Sequence, residues 1–212
     1  SSVYFPERDA VKLVSTPTTD IFETDITDSV KVSFYNGTKV IDALSHFNGD
    51  IQGRIKYSEI DGELMASDFT IENSDLKINL ACADPSLSFM EMSKEETDRA
   101  FSVEGSIFQF DLLTTHVDKM KSLFNLEREE DTFTLAVTDK GVAVQGPSYD
   151  ATLSHSYEGD NAVGEKVVIY KKYINLLDKE NYKVVVCSNK VVFRSLDTNT
   201  HLTVAVAITD ED

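Results

Sequence analysis

The sequence predicts an α+β protein of two similar domains, each of antiparallel β-strands with helices. Three observations carry that expectation. Short strand-like runs dominate the chain, three segments break their rhythm with helical spacing, and the first half repeats in the second.

The strand-like runs are AVKLVST (10–16), KVSFY (31–35), DLKINLACA (75–83), DTFTLAVT (131–138), GVAVQG (141–146), YKVVVCS (182–188), KVVFRSL (190–196) and HLTVAVAI (201–208). They are rich in Val, Ile, Thr and Phe, side chains that suit a pleated, half-buried surface. Asp61-Gly62, Lys140-Gly141 and Ser188-Asn189 separate them as turns, because these residues accept the backbone angles a tight reversal needs. The helical segments are TKVIDALSHF (38–47), LLTTHVDKMKSLF (112–124) and YKKYINLLDK (170–179).

The duplication links these elements. PERDAVKLV (6–14) matches TDKGVAVQG (138–146) in kind, at an offset of about 130 residues. Residues 30–60 match 165–193 at a similar offset, pairing Ile41 with Ile174 and Leu44 with Leu177. Each half therefore reads strand–strand–helix–hairpin, and the second opens with the additional helix 112–124. The same offset places the counterpart of that helix upstream of Ser1, so a preceding helix is expected. Residues 1–86 form the first domain, 87–105 a connector and 106–212 the second domain. The joining stretch 84–101 reads as polar and irregular apart from Leu87, Phe89, Met90 and Met92.

Charge limits the function. With 37 Asp and Glu against 20 Lys and Arg, the chain carries −17, a field that repels nucleic acid unless its lysines gather on one surface. Helical wheels gather them. In 170–179 the core face is Tyr170, Tyr173, Ile174 and Leu177; Lys172, Asn175 and Lys179 face away, with Lys171 at the edge. In 112–124 the core face is Leu113, Val117, Met120 and Phe124, with Lys119 outside and Lys121 on the flank. In 38–47 the core face is Val40, Ile41, Leu44 and Phe47, leaving Lys39 outside. Asp42 and Asp118 are the acidic residues on those outer faces. Helices that share a surface would collect positive charge there and hold phosphates without reading bases.

Catalytic patterns are absent. GVAVQGPS (141–148) has the glycine spacing of a phosphate loop, but Pro147 stands where that loop needs Lys. No G-x-S-x-G, H-E-x-x-H or C-x-x-C occurs, and His46, His116, His155 and His201 are isolated from one another. Cys82 and Cys187 lie in separate apolar runs and read as buried free thiols. No enzyme activity, metal or cofactor is expected. Without an apolar run long enough to span a bilayer or a signal segment, the expectation is a cytoplasmic protein, in the host cytoplasm if viral.

The second half resembles the ring-shaped DNA sliding clamps that include proliferating cell nuclear antigen. The resemblance rests on KYINLLDK (172–179), DTFTLAVTDKGVAVQG (131–146) and TVAVAITDED (203–212), in kind and order. ACADPS (81–86) is more similar to the T-even-type bacteriophage clamps. The resemblance implies a DNA-clamp fold in a homotrimeric ring, helices lining the hole and sheets outside. Such a ring acts as a polymerase processivity factor on double-stranded DNA and is opened by an ATP-dependent clamp loader. It puts Lys119, Lys172 and Lys179 at DNA-facing positions, to which the wheels add Lys39, Lys121 and Lys171. It puts head-to-tail subunit pairing on 75–81 (Lys77, Asn79, Ala81) and 151–157 (Thr152, Ser154, Ser156). It puts a groove for peptides of the polymerase and other partners near Phe89, Met90, Phe101 and Ile208. Two alternatives are a β-rich virion structural protein and one subunit of a hetero-oligomeric ring.

Overall fold

The computed structural model describes residues 2–7, 9–15, 30–35, 37–84 and 92–207. They fall into two compact units, Pro17–Glu91 and a larger one that joins Ser1–Thr16 to Met92–Asp212.

The larger unit is built on two antiparallel sheets. The first contains β1 (Ser2–Glu7), β2 (Ala10–Ser15), β7 (Ser106–Leu112), β12 (Tyr182–Cys187), β13 (Lys190–Ser195) and β14 (Asn199–Ala205), in the order β1-β2-β14-β13-β12-β7. The second contains β8 (Thr132–Thr138), β9 (Gly141–Gly146), β10 (Tyr149–Ser154) and β11 (Lys166–Tyr170), in the order β10-β9-β8-β11. Early and late segments thus share a sheet, Val11 lying opposite Thr203 and Leu13 opposite His201. Division by compactness cuts the chain elsewhere than the repeat boundaries at 86 and 106.

Strand periodicity explains the core. Phe108, Phe110 and Leu112 alternate inward along β7, and Leu135, Val142, Val144 and Ile169 supply the other sheet. Val117 and Met120 come from helix α3 (Thr114–Phe124), and all join one cluster with Val184, Val186, Phe193 and Leu202. Each such side chain contributes about 1.5–3 kcal/mol when fully buried. Lys12 lies on the inward face of β2 and is 6% exposed. Its ammonium is held 2.7 Å from the Asp178 carboxylate and 3.2 Å from the Leu176 carbonyl, which makes its burial tolerable. Gly141 is required at the β8–β9 turn: its φ is +120°, and a Cβ there would strike the Ser154 carbonyl.

Two elements differ from their expected form. Residues 170–179 contain a 3-10 helix, Lys171–Leu176, rather than an α-helix. The Lys171 N–H is bonded to the Asp131 carbonyl at 2.7 Å, fixing the start, and six residues with aromatic and β-branched members are too few for a stable α-helix. The buried set survives the change, with Tyr173 and Ile174 at 0% and 1% exposure. The described part of the connector, from residue 92, is not wholly irregular: α2 spans Lys94–Phe101. Ser93 Oγ accepts the Glu96 N–H while the Glu96 carboxylate accepts the Ser93 N–H, a capping box written in the sequence as Ser93-x-x-Glu96. At the other end, Lys190 Nζ donates to the Arg99 and Ala100 carbonyls, Thr203 Oγ1 to Ala100 and Arg194 to Phe101. These donors satisfy carbonyls that a helix end leaves open and pin α2 to β13 and β14.

The smaller unit is a sheet around β5 (Glu63–Glu72). Antiparallel β4 (Gln52–Ile60) runs along one side; parallel β3 (Val30–Lys31) and antiparallel β6 (Lys77–Ala81) share the other. Asp61 and Gly62, with φ of 52° and 83°, make the β4–β5 turn in the form that a strand twist favours. Of the expected strand 31–35, only Lys31 joins the ladder, with Val30 before it. Helix α1 (Gly37–Ser45) forms as expected, but its apolar face is displaced. Ala43 is buried, whereas Ile41 is 68% and Leu44 39% exposed, so the inward stripe follows Val40, Ala43 and Phe47. The wheel ranked residues by hydropathy, but contact with the sheet selected the small alanine side.

The order β1-β2-β3-α1-β4-β5-β6 recurs as β8-β9-β11, the 3-10 helix, β12-β13-β14, with β7 and α3 preceding it and β10 inserted. The internal repeat is thus visible in the element order, although the two halves pair their strands differently.

Candidate nucleic-acid interface

In the larger unit, α3 packs beside the 3-10 helix, and the two set a group of cations around an open recess of about 620 Å³. Lys121 comes from α3, Lys171 and Lys172 from the 3-10 helix, and Arg128 from the loop between α3 and β8. Phe124 and Tyr170 supply aromatic surface, and Asn125 and Asn175 supply neutral polar groups. Lys171 Nζ lies 5.4 Å from the Phe124 ring centre and donates to the Glu127 carbonyl at 2.7 Å. Lys172, exposed, has Nζ 5.2 Å from the Tyr173 ring and 5.6 Å from Tyr170. These contacts align two ammonium groups by cation–π attraction.

The recess is not uniformly positive. Glu127, Glu130 and Asp131 also line it, so the expectation of a nearly acid-free face holds for the helices but not for the adjoining loop. Glu127 is buried and its carboxylate accepts the Ser148 N–H, which ties that charge to the β9–β10 turn. Its neighbourhood and burial push the Tyr149 hydroxyl up to about 12, with burial the larger cause. Arg128 had no place on the helical wheels because it follows α3; the only signal for it is the charged run 127–131.

The remaining predicted cations lie elsewhere. Lys179 and Lys39 are exposed, the former after the 3-10 helix and the latter on α1 of the smaller unit. Lys119 projects from α3 toward the other sheet, where its Nζ donates to the Thr152 carbonyl at 2.9 Å. Near it, His116 Nδ1 accepts the Leu113 N–H at 3.2 Å. Burial, then the Lys119 charge, lowers the His116 pKa. Leu113, expected in the core, starts α3 and is 43% exposed.

The segments expected at a subunit boundary are both edge strands among the described residues. On β6, Lys77, Asn79 and Ala81 alternate outward with Ile78 and Leu80 half-buried. On β10, Thr152 and Ser154 are half-buried and separated by a bulge. Ser156 lies past the strand, where its N–H and carbonyl both bond the Ser154 hydroxyl. Of the expected groove residues, Phe101 closes α2 with its ring 6.1 Å from His201; Phe89, Met90 and Ile208 lie outside the described residues. Cys187 is buried and Cys82 half-buried, both free. Among the described residues no helix is long and apolar enough to cross a membrane.

The chain has the DNA-clamp fold, sheet-rich with few helices, and solved sliding clamps match it over nearly its whole length. The beta subunit from DNA polymerase of Streptococcus pyogenes superposes with a TM-score of 0.62 at 13% identity, covering 98% of this chain and 57% of that one. The PCNA2–PCNA3 complex of Sulfolobus tokodaii gives 0.60 at 13%, covering 95% and 82%. The A. fulgidus PCNA bound to the C-terminal region of FEN-1 gives 0.56 at 12%, covering 97% and 84%. This chain therefore spans little more than half the length of the bacterial subunit. No protein-family description matches the sequence, and no curated protein matches it. At these identities the likeness establishes the fold.

Proposed function

We propose that this chain is a subunit of a DNA sliding clamp, a non-enzymatic processivity factor that encircles duplex DNA and tethers polymerase to it. The observation that carries this reading is the clamp fold over 95–98% of the chain, combined with cations grouped on α3 and the 3-10 helix. In an acidic chain, cations so placed serve weak phosphate contacts without base readout. Lysines supply most of them, and undirected ammonium contacts let a ring slide. Head-to-tail pairing of β6 with β10 of the next copy would close a homotrimer and cover both edges. ACADPS supports kinship with the T-even-type clamps.

A groove near Phe101 would take partner peptides, a reading supported by the A. fulgidus PCNA bound to a region of FEN-1. Loading would fall to a separate ATP-dependent machine, since the glycine-spaced segment 141–148 is the β9–β10 hairpin. A hetero-oligomeric ring is the second reading, favoured by the likeness to a complex of two different archaeal subunits.

Two measurements test the proposal. Light scattering on the chain should give a concentration-dependent trimer. Binding to a short linear duplex should fall with salt, and Lys121→Ala, Lys172→Ala and Lys179→Ala should each flatten the logarithmic salt slope by about 1. Assembly should be unchanged in those variants. An unaltered slope in the triple variant would remove DNA from this face.

A further inference from the structure

Lys119 joins two regions that the sequence treats as separate, the cationic helix and the open strand edge. Its position in the ladder shows why that contact matters. Gly146 and Tyr149 flank the two-residue turn Pro147-Ser148, so they form a hydrogen-bonded pair of the β9–β10 hairpin. Pairs alternate along an antiparallel ladder. Ala151, opposite Val144, is therefore turned to β9, and Thr152, opposite Ala143, presents its N–H and carbonyl to the open edge. That carbonyl accepts Lys119 Nζ at 2.9 Å. In the isolated chain, the ammonium occupies an acceptor that an added strand would need.

We propose that Lys119 is a coupling residue: it caps the β10 edge in the free subunit and is released toward DNA when a strand of a second copy takes the Thr152 carbonyl. The proposal rests on the clamp reading. An N–H of the incoming strand replaces the ammonium at Thr152, and Lys119, exposed at the surface, becomes available to a phosphate. The same exchange runs in reverse. A phosphate that draws Lys119 away leaves the carbonyl open to the neighbouring strand, so DNA favours ring closure by the factor that closure favours DNA. Subunits without DNA are correspondingly less prone to pair.

The test compares self-association of the wild type, Lys119→Met and Lys119→Arg, with and without a short linear duplex. Methionine keeps the helix and removes the donor, so Lys119→Met should associate about two- to fivefold more tightly without DNA, the worth of one exposed charged hydrogen bond. The duplex should tighten its association less than it tightens that of the wild type. Lys119→Arg should behave as the wild type. Equal or weaker DNA-free association of Lys119→Met overturns the coupling while leaving the clamp reading intact, provided the wild type assembles. A wild type that stays monomeric at every concentration overturns the coupling and the homotrimeric ring, and leaves a ring completed by a different subunit. Amine labelling of wild-type Lys119, followed by mass spectrometry, gives a check without substitution. Its reactivity should rise on assembly, and an unchanged or reduced rate contradicts release.

Discussion

Two histidines set how the larger unit responds to acid. His116 uses Nδ1 as an acceptor at the start of α3, which an imidazolium cannot do. His201 lies beside Phe101, with Nδ1 buried and without a hydrogen-bond partner. Burial is the larger cause that lowers both from 6.5, aided by Lys119 for His116 and Arg194 for His201. The unfolded chain therefore binds protons first as pH falls. The stabilising difference is intact above 6.5 and declines as pH drops through 6.5 toward the lower folded values. Glu96 and Glu158 are lowered from 4.5, chiefly by hydrogen bonds from Ser93 and Lys183, and act in a separate, more acidic window. Urea midpoints should thus fall between pH 7.5 and 5.5, about one unit either side of the histidine value. The variant His116→Gln with His201→Gln should flatten that limb, and an unchanged slope would assign it to other groups. The outward position of Lys119 was legible from helical spacing, but its acceptor, 33 residues away, was not. Likewise, 10–15 was readable as a strand, but the place of Lys12 on its inward face was not, and the Lys12–Asp178 contact exists only after β2 reaches the end of the 3-10 helix.

At the scale of elements, spacing located α1 and α3 because each pairs a long apolar stripe with a polar face. It failed at 171–176, where the buried residues fit a helical wheel of either kind and segment length decided the geometry. It also failed at α2, which has no buried residue and hence no apolar stripe; hydrogen bonds at its two ends hold it. The capping box was the readable sign. Ser93→Ala should cost that helix about 0.5–2 kcal/mol. Because α2 packs little into the core, the loss should appear as faster amide exchange over 94–101, with the global unfolding midpoint nearly unchanged. Lys190→Met should give the same pattern from the other end, by freeing the Arg99 and Ala100 carbonyls. A large shift in the global midpoint would show instead that α2 folds as one unit with the sheets.

The whole molecule poses a problem in electrostatics that only its topology answers on the proposed reading. A chain of net charge −17 offers DNA a repulsive field overall, and the recess opposes its four cations with three carboxylates. Contacts of this kind cannot give tight, salt-resistant binding. The duplicated element order was legible in the sequence because period and turn chemistry are local, whereas the two edge segments came from the resemblance alone. The pairing of β2 with β14 was not legible, since it joins residues at opposite ends of the chain. A ring resolves the electrostatics by replacing affinity with linkage, and the two modes respond differently to salt. At about 1 M salt the screening length is about 3 Å, which removes phosphate attraction but leaves a closed ring threaded. Chains assembled with nicked circular DNA and then moved to that salt should co-elute with the circle. Cutting the circle once should release them, as they slide off its ends. Release from the intact circle would mean that ordinary charge contacts hold the protein. Retention after cutting would mean a tight site that a sliding ring does not have.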